Sequence, residues 1–339
     1  MILSKNNMEA EYKSFALRTI GSTHIVHNRL CEDYALKNET DKYSIIAVCD
    51  GHGGDDYVRS SKGSKFVAEV TESCVAELIA KVDDAMFTTE KSRETLFRQL
   101  ETSIIARWNE KTMLDWVNNP LTEEEKTIIS EKALKKYEEG NIQPAYGTTL
   151  ATVVMTPKYW FALQIGDCRC VVIDNEGKCS QPVPWDEKCV GAETTSICDS
   201  RSIEEFRHYY STEFPKAVFI ASDGIEDSFR GEEKMYDFYK TVFDAFTDKE
   251  KSWNDAENEL ADYLPRMSEQ GSHDDISVAG LLRISPKSDN GVTVEKTSDT
   301  NSDDKVEENN SETADRNSKP NNEANDETKN EANTESVKG

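Results

Sequence analysis

Short apolar segments rich in β-branched and aromatic residues recur along the first 285 residues, a pattern typical of buried β-strands. Apolar residues at helical spacing run from Val67 to Val82 and from Leu96 to Trp108, and further helices are expected at Glu232–Phe246 and Ser252–Met267. Because strands come in runs with helices between the runs, the predicted fold class is α+β with mostly antiparallel sheets. The predicted strands are Tyr12–Ile20, Tyr43–Cys49, Thr148–Thr156, Trp160–Gln164, Cys170–Asp174, Ala217–Ala221 and Ile276–Leu282.

The charged segment Thr122–Gly140 is predicted as an inserted helix. Thr122 and Glu125 have the spacing of a capping box, in which each residue satisfies a backbone N–H near the other. Since charged residues dominate the segment, we interpret it as a solvated surface helix.

Composition changes abruptly after Ser285. Residues 286–339 contain no Phe, Trp, Tyr, Leu, Ile or Met, and their ten asparagines are interleaved with charges. Such a segment buries too little apolar surface to offset its ordering entropy, so we predict a disordered acidic tail. The predicted organisation is an N-terminal extension at 1–13, one folded domain at 14–285 and the tail at 286–339.

The formal net charge is −25, of which the tail contributes −7. This balance disfavours nucleic-acid clamps and binders of anionic membranes, which need a basic face. Apolar runs fall far short of the roughly 20 residues of a membrane span, and the first residues lack the apolar core of a secretory leader. The eight cysteines are scattered without a CxxC pair. We therefore expect a cytoplasmic protein with free thiols.

Aspartates fall at the ends of several predicted strands that are far apart in sequence. Asp33 precedes Tyr34-Ala35-Leu36, Asp50 follows Ser44–Cys49, Asp167 lies between two strands, Asp223 follows Ala217–Ser222 and Asp274 lies before Ile276. Partly desolvated carboxylates are unfavourable unless cations compensate them. Oxygen-only ligands select hard cations such as Mg²⁺ or Mn²⁺, and Gly51 lets the backbone approach a second ion. Two metals sharing Asp50 would activate a water for attack on phosphorus, with His52 as a general acid.

The order of these motifs resembles the metal-dependent protein phosphatase family, the 2C-type serine/threonine phosphatases. The resemblance covers about residues 15–284. The ordered set is specific although each short motif is weak. The matching pieces are Glu32-Asp33, Val48-Cys49-Asp50-Gly51-His52-Gly53-Gly54, Gly147-Thr148-Thr149, Gly166-Asp167-Cys168-Arg169, Ala221-Ser222-Asp223-Gly224 and Asp274-Asp275-Ile276-Ser277-Val278.

The resemblance implies a four-layer α-β-β-α sandwich of two antiparallel sheets with a metal centre of two or three Mg²⁺ or Mn²⁺ ions at one edge. Asp50 would bridge two ions, Asp223 and Asp274 would complete the first site, and the Gly51 carbonyl would enter the second. Asp33, with Glu32, would hold water molecules on the ions, and Asp167 would serve a third ion. His52 matches the general acid. The implied reaction is hydrolysis of phosphoserine or phosphothreonine monoesters.

The chain departs from this pattern at the phosphate clamp. Many members of the family carry an Arg five residues before the aspartate matched by Asp33, and here that residue is Asn28. The segment instead resembles a divergent bacterial branch with His in this region, which leaves His24, His27 or Arg29 as candidates for phosphate contact. Asp275 stands where Asn is usual and is expected to add negative charge beside the cluster.

Three functions therefore remain open. The first is an active phosphatase acting on phosphorylated proteins, with a serine/threonine kinase as a further candidate partner and a monomer as the expected state. The second is a pseudophosphatase adaptor that binds partners through its surface or acidic tail, and the missing Arg favours it. The third is a phosphatase of small metabolites on the same fold.

Overall fold

The computed structural model describes residues 11–191 and 193–284. Ten strands in these residues form two five-stranded antiparallel sheets. The strands are β1 (Glu11–Thr19), β2 (Tyr34–Glu39), β3 (Ser44–Cys49), β4 (Leu150–Met155), β5 (Trp160–Ile165), β6 (Arg169–Ile173), β7 (Cys179–Ser180), β8 (Arg207–Ser211), β9 (Ala217–Ala221) and β10 (Ile276–Ile284). The first sheet has the order β1-β10-β9-β6-β7 and the second the order β2-β3-β4-β5-β8.

The helices of the described residues join these strands, and the longer ones cover the outer faces of both sheets. They are α1 (Ser22–Val26), α2 (Ser60–Lys81), α3 (Glu90–Asn118), α4 (Glu123–Ile128), α5 (Glu131–Glu138), α6 (Ser202–Glu205), α7 (Asp223–Glu226), α8 (Glu232–Thr247) and α9 (Trp253–Gln270). Short 3₁₀ turns lie at Asp84–Phe87 and Gln143–Tyr146. None of these helices combines the length and the apolar character that a membrane crossing requires.

Alternation along the central strands builds three apolar layers. In β3, Ile45 and Ala47 pack with the core under α2 and α3, whereas Ile46 and Val48 pack between the sheets. A third cluster joins the first sheet to α8 and α9. Successive side chains of a strand point to opposite faces, so a continuous apolar run is what a strand buried on both faces requires. The predicted four-layer α-β-β-α sandwich is confirmed.

The charged segment Thr122–Gly140 differs from its prediction. It forms two short helices, α4 and α5, instead of one, and Ile129, Ala133 and Tyr137 are buried. The interpretation as a wholly solvated helix is therefore wrong, because one face of α5 packs into the core under α2 and α3. The capping box between Thr122 and Glu125 is present as predicted.

Two other predicted segments lie partly or wholly outside the described residues. β1 starts at Glu11, inside the predicted extension 1–13, and Glu11 pairs with Ile284 at the end of β10. Residues 1–10 and the predicted tail at 286–339 lie outside the described part, so the domain boundaries there stay predictions. The eight cysteines are all free thiols, and six of them are buried.

A histidine between two carboxylates joins β8 to α3. The Nε2 atom of His208 lies 2.9 Å from Glu94 Oε1, and its Nδ1 atom lies 3.8 Å from Oε1 of the buried Glu101. Arg98 also faces Glu101, at 3.5 Å, and the His208 ring packs on Phe97. The neighbouring carboxylates of Glu101 and Glu94 raise the pKa of His208 above its usual 6.5 although burial opposes the shift.

We expect His208 to make stability depend on pH. A raised pKa in the folded state contributes stability that is fully present below the unfolded pKa of about 6.5 and is lost as pH rises through the folded pKa. Urea unfolding should therefore show a larger stability difference between wild type and His208→Gln near pH 5.5 than near pH 8.5 (about one pKa unit or more to either side of the unfolded value). A difference that does not change with pH would contradict this role.

Candidate metal centre

Strands from both sheets end around one cavity of about 750 Å³. Asp33 lies just before β2 and Asp50 just after β3, both in the second sheet, while Asp223 and Asp274 lie at the ends of β9 and β10 in the first. The structure thus brings together residues that are up to 242 positions apart, a separation that no local pattern spans. All predicted metal-site residues and the predicted acid line the cavity, namely Glu32, Asp33, Asp50, Gly51, His52, Asp167, Asp223 and Asp274.

The carboxylates of the cavity are close enough to affect one another. Burial raises the pKa of Asp50 well above its usual range, and Asp33 and Asp223 raise it further. Burial also raises the pKa of Asp33, with Asp275 adding to the shift, and it raises the pKa of Asp223 to about 7. Since each shift favours the neutral acid, the charged cluster is unfavourable without cations.

Hydrogen bonds from the strand ends fix these side chains and their backbones. Ser277 Oγ donates to Asp33 Oδ2 at 2.7 Å. The Asp50 carbonyl accepts from Thr149 N and from Thr148 Oγ1, both at 2.8 Å, and its N–H donates to Thr149 Oγ1. The Gly-Thr-Thr motif of the sequence therefore holds the Asp50 backbone in place.

The donors present fit a hard divalent cation. All of the acidic and carbonyl groups offer oxygen atoms as metal ligands, and Oε2 of the buried Glu32 has no hydrogen-bond partner. Burial raises the pKa of Glu32 to about 7. Among described residues, Lys188 is the only Lys or Arg that lines the cavity, and its Nζ atom donates to Glu205. Oxygen-only ligand sets with excess negative charge suit Mg²⁺ and Mn²⁺.

Asp275 adds negative charge beside the cluster, as the sequence led us to expect, since it raises the pKa of Asp33, but its carboxylate is also bound on several sides. Its carboxylate accepts hydrogen bonds from Gly21 N at 2.6 Å, Glu32 N at 2.5 Å and His24 Nδ1 at 2.9 Å. Burial alone would raise the pKa of Asp275, but these bonds lower it. The side chain therefore ties the segment before β2 to the start of β10, and its hydrogen bond to His24 raises the pKa of that imidazole.

The phosphate-binding candidates occupy different places. His24 lines the cavity, with Nδ1 bonded to Asp275 and Nε2 3.7 Å from Glu32 Oε2. Arg29 does not line it, because its guanidinium donates to Glu32 Oε1 at 3.0 Å and to the Gly54 carbonyl. Sequence reasoning missed Lys188, which follows no motif.

His52 is held through both its backbone and its ring. Its N–H donates to the Gly147 carbonyl at 3.0 Å, and its ring makes an edge contact with Tyr57. A Cβ atom at position 147 would overlap the imidazole, so Gly147 leaves the space in which His52 sits. Burial lowers the pKa of His52 to about 4, which makes the imidazole neutral near pH 7.

A sandwich of two antiparallel sheets with an acidic cavity between strand ends defines a class of phosphatase-like proteins with a candidate metal centre. Residues 20–265 match the family model described as protein phosphatase 2C, so the chain belongs to that family, whose members are metal-dependent. A search of curated protein sequences finds no match.

Solved structures support the fold. The serine/threonine phosphatase Stp1 from Staphylococcus aureus is 15% identical, with a TM-score of 0.52, covering 84% of this chain and 100% of its own. A bacterial serine phosphatase is 14% identical, with a TM-score of 0.51, covering 82% of this chain and 100% of its own. PppA from Pseudomonas aeruginosa is 15% identical, with a TM-score of 0.50, covering 80% of this chain and 98% of its own. At these identities the likeness concerns the fold alone.

Proposed function

We propose that this protein is an active phosphatase that hydrolyses phosphoserine and phosphothreonine monoesters of proteins. One observation supports the proposal: the aspartates to which the resemblance assigns metal binding all line one cavity, in a chain whose family is metal-dependent. A fold alone does not establish an activity, so the argument rests on these side chains.

Two or three Mg²⁺ or Mn²⁺ ions would be held by the carboxylates at the strand ends. Asp50 would be shared between two ions, with Asp223 and Asp274 on one side and the Gly51 carbonyl on the other. Asp33 and Glu32 would hold water molecules, and Asp167 would serve a third ion. When bound, such ions lower the pKa of water and supply a nucleophile for attack on phosphorus.

His52 is the proposed proton donor to the departing serine or threonine oxygen. Its neutral state in the buried site leaves it without a proton to give near pH 7. A phosphate dianion beside the ring would favour the charged imidazolium, because an opposite charge within about 4–6 Å raises the pKa of a base. The substrate itself would thus help to protonate its acid.

Hydrolysis of a phosphothreonine peptide and of p-nitrophenyl phosphate, with Mn²⁺, Mg²⁺ or a chelator, tests the proposal. We expect turnover of both substrates with metal, and at least about a hundredfold less with Asp223→Asn. Turnover that does not exceed the Asp223→Asn control would contradict it and favour a pseudophosphatase adaptor. A clear preference for small phosphorylated metabolites over peptides would change the substrate class.

A further inference from the structure

The loop that carries His52 has few constraints of its own. This His52 loop, residues 51–59, joins β3 to α2, and it contains Gly53 and Gly54, which are both exposed. Glycine pairs in exposed segments leave the backbone many conformations. The position of His52 therefore depends on what holds the two ends of the loop.

Hydrogen bonds and packing against the core hold the N-terminal end of the His52 loop. The His52 N–H donates to the Gly147 carbonyl, and Gly51 forms a bridge with Thr148. A Cβ at Gly51 would overlap the Glu32 carbonyl, so the start of the loop, just after β3, packs directly against the backbone of Glu32. These contacts belong to the family motifs described above.

Helices α4 and α5 hold the C-terminal end of the His52 loop. Glu125 in α4 takes Arg59 in a bidentate grip, with Oε1 3.0 Å from Nε and Oε2 3.2 Å from Nη2. Arg59 is only 3% exposed, which strengthens a charge-assisted pair. Ser130, the N-cap of α5, donates to Asp56 through its N–H at 2.8 Å and its hydroxyl at 3.0 Å. Tyr137 donates to the Asp56 carbonyl at 2.6 Å.

Arg59 also links this end of the loop to the segment that supports His52. The backbone N–H of Arg59 donates to the Ala145 carbonyl at 2.8 Å, and its side-chain Nη1 donates to Tyr146 Oη at 3.0 Å. Ala145 and Tyr146 directly precede Gly147, the residue against which the imidazole packs. Displacement of Arg59 would thus move both sides of the His52 pocket.

We propose that helices α4 and α5 position the His52 loop, with Glu125 as the main positioning residue. This inference rests on the proposed function insofar as His52 donates a proton to the leaving group. Glu125 contacts neither the cavity nor the reacting atoms, and it acts through Arg59. A misplaced acid slows substrates with poor leaving groups most, since good leaving groups depart without a proton.

The experiment compares the full-length protein with Glu125→Ala, Glu125→Gln and the matched control Glu123→Ala. Glu123 lies in the same helical turn but is exposed and pairs with Lys126. Two readouts are measured: hydrogen exchange of peptides covering residues 51–59, and the ratio of kcat/KM for a phosphothreonine peptide to that for p-nitrophenyl phosphate. Loss of global structure would lower both rates equally and leave the ratio unchanged.

We expect Glu125→Ala to raise exchange in the loop and to lower the ratio by about tenfold. Glu125→Gln, which retains an acceptor for Arg59, should lie between wild type and alanine, and Glu123→Ala should match wild type. An unchanged ratio overturns the inference, whether or not exchange changes. If wild type shows no phosphatase activity, the proposed function fails, and exchange alone decides whether α4 and α5 fix the loop: an increase with Glu125→Ala supports this and no change overturns it.

Discussion

Replacing Asp50 with asparagine should lower metal-dependent kcat by about a thousandfold or more and, at the same time, stabilise the metal-free protein. The loss follows from the central place of Asp50 among the carboxylates. The gain in stability follows because burial and the neighbours Asp33 and Asp223 disfavour the charge of Asp50. Asparagine removes that charge while the backbone bonds to Thr148 and Thr149 remain. Relief of an uncompensated buried charge should add about 1 kcal/mol or more to the free energy of unfolding.

Steady-state kinetics with Mn²⁺ and urea unfolding in a chelator measure the two effects. Asp41→Asn provides the control, since Asp41 is exposed between β2 and β3, outside the cavity lining, and should change neither quantity. Metal should stabilise wild type strongly and the Asp50→Asn variant weakly, because a ligand that binds only the folded state adds to its stability. An Asp50→Asn protein that is as active as wild type, or less stable without metal, would refute this account of the cluster.

Most of the strands predicted from the sequence are buried on both faces, and the edge strand β1 is the exception. β4 and β5 are fully buried and read as unbroken apolar runs. β8 was not predicted as a strand, and β2 was indicated only by Tyr34-Ala35-Leu36 after Asp33, because both are edge strands that carry polar side chains, as in Arg207-His208-Tyr209-Tyr210-Ser211. Edge strands of this kind lack the apolar signal on which prediction depends.

The site was predictable where its residues adjoin strands that the sequence pattern indicates. Asp50 and Asp223 each follow such a strand, so the end of the apolar run marks them. Nothing in the local sequence shows that Asp275 bonds to His24, 251 positions away, or that Lys188 reaches the cavity. Those contacts depend on how the two sheets pack, which local patterns do not encode.

The chain carries a net charge of −25, and at the cavity the local charge depends on whether divalent ions are bound. Eight acidic side chains line the cavity in the described residues, and the cationic groups there are few and already paired, as in His24 with Asp275 and Lys188 with Glu205. Without divalent ions, a phosphate dianion would meet net negative charge. With two or three ions, the local charge becomes close to neutral or positive.

We therefore expect inorganic phosphate to bind only when metal is present. Isothermal titration calorimetry should give a Kd of about 1 mM or lower with Mn²⁺ or Mg²⁺, and no measurable heat of binding in a chelator. Asp50→Asn with metal should resemble the metal-free wild type, because it loses the carboxylate that two ions would share. Equal phosphate affinity with and without metal would mean that protein cations, with His24 and Lys188 as the nearest candidates, bind the phosphate and that the carboxylates serve another purpose.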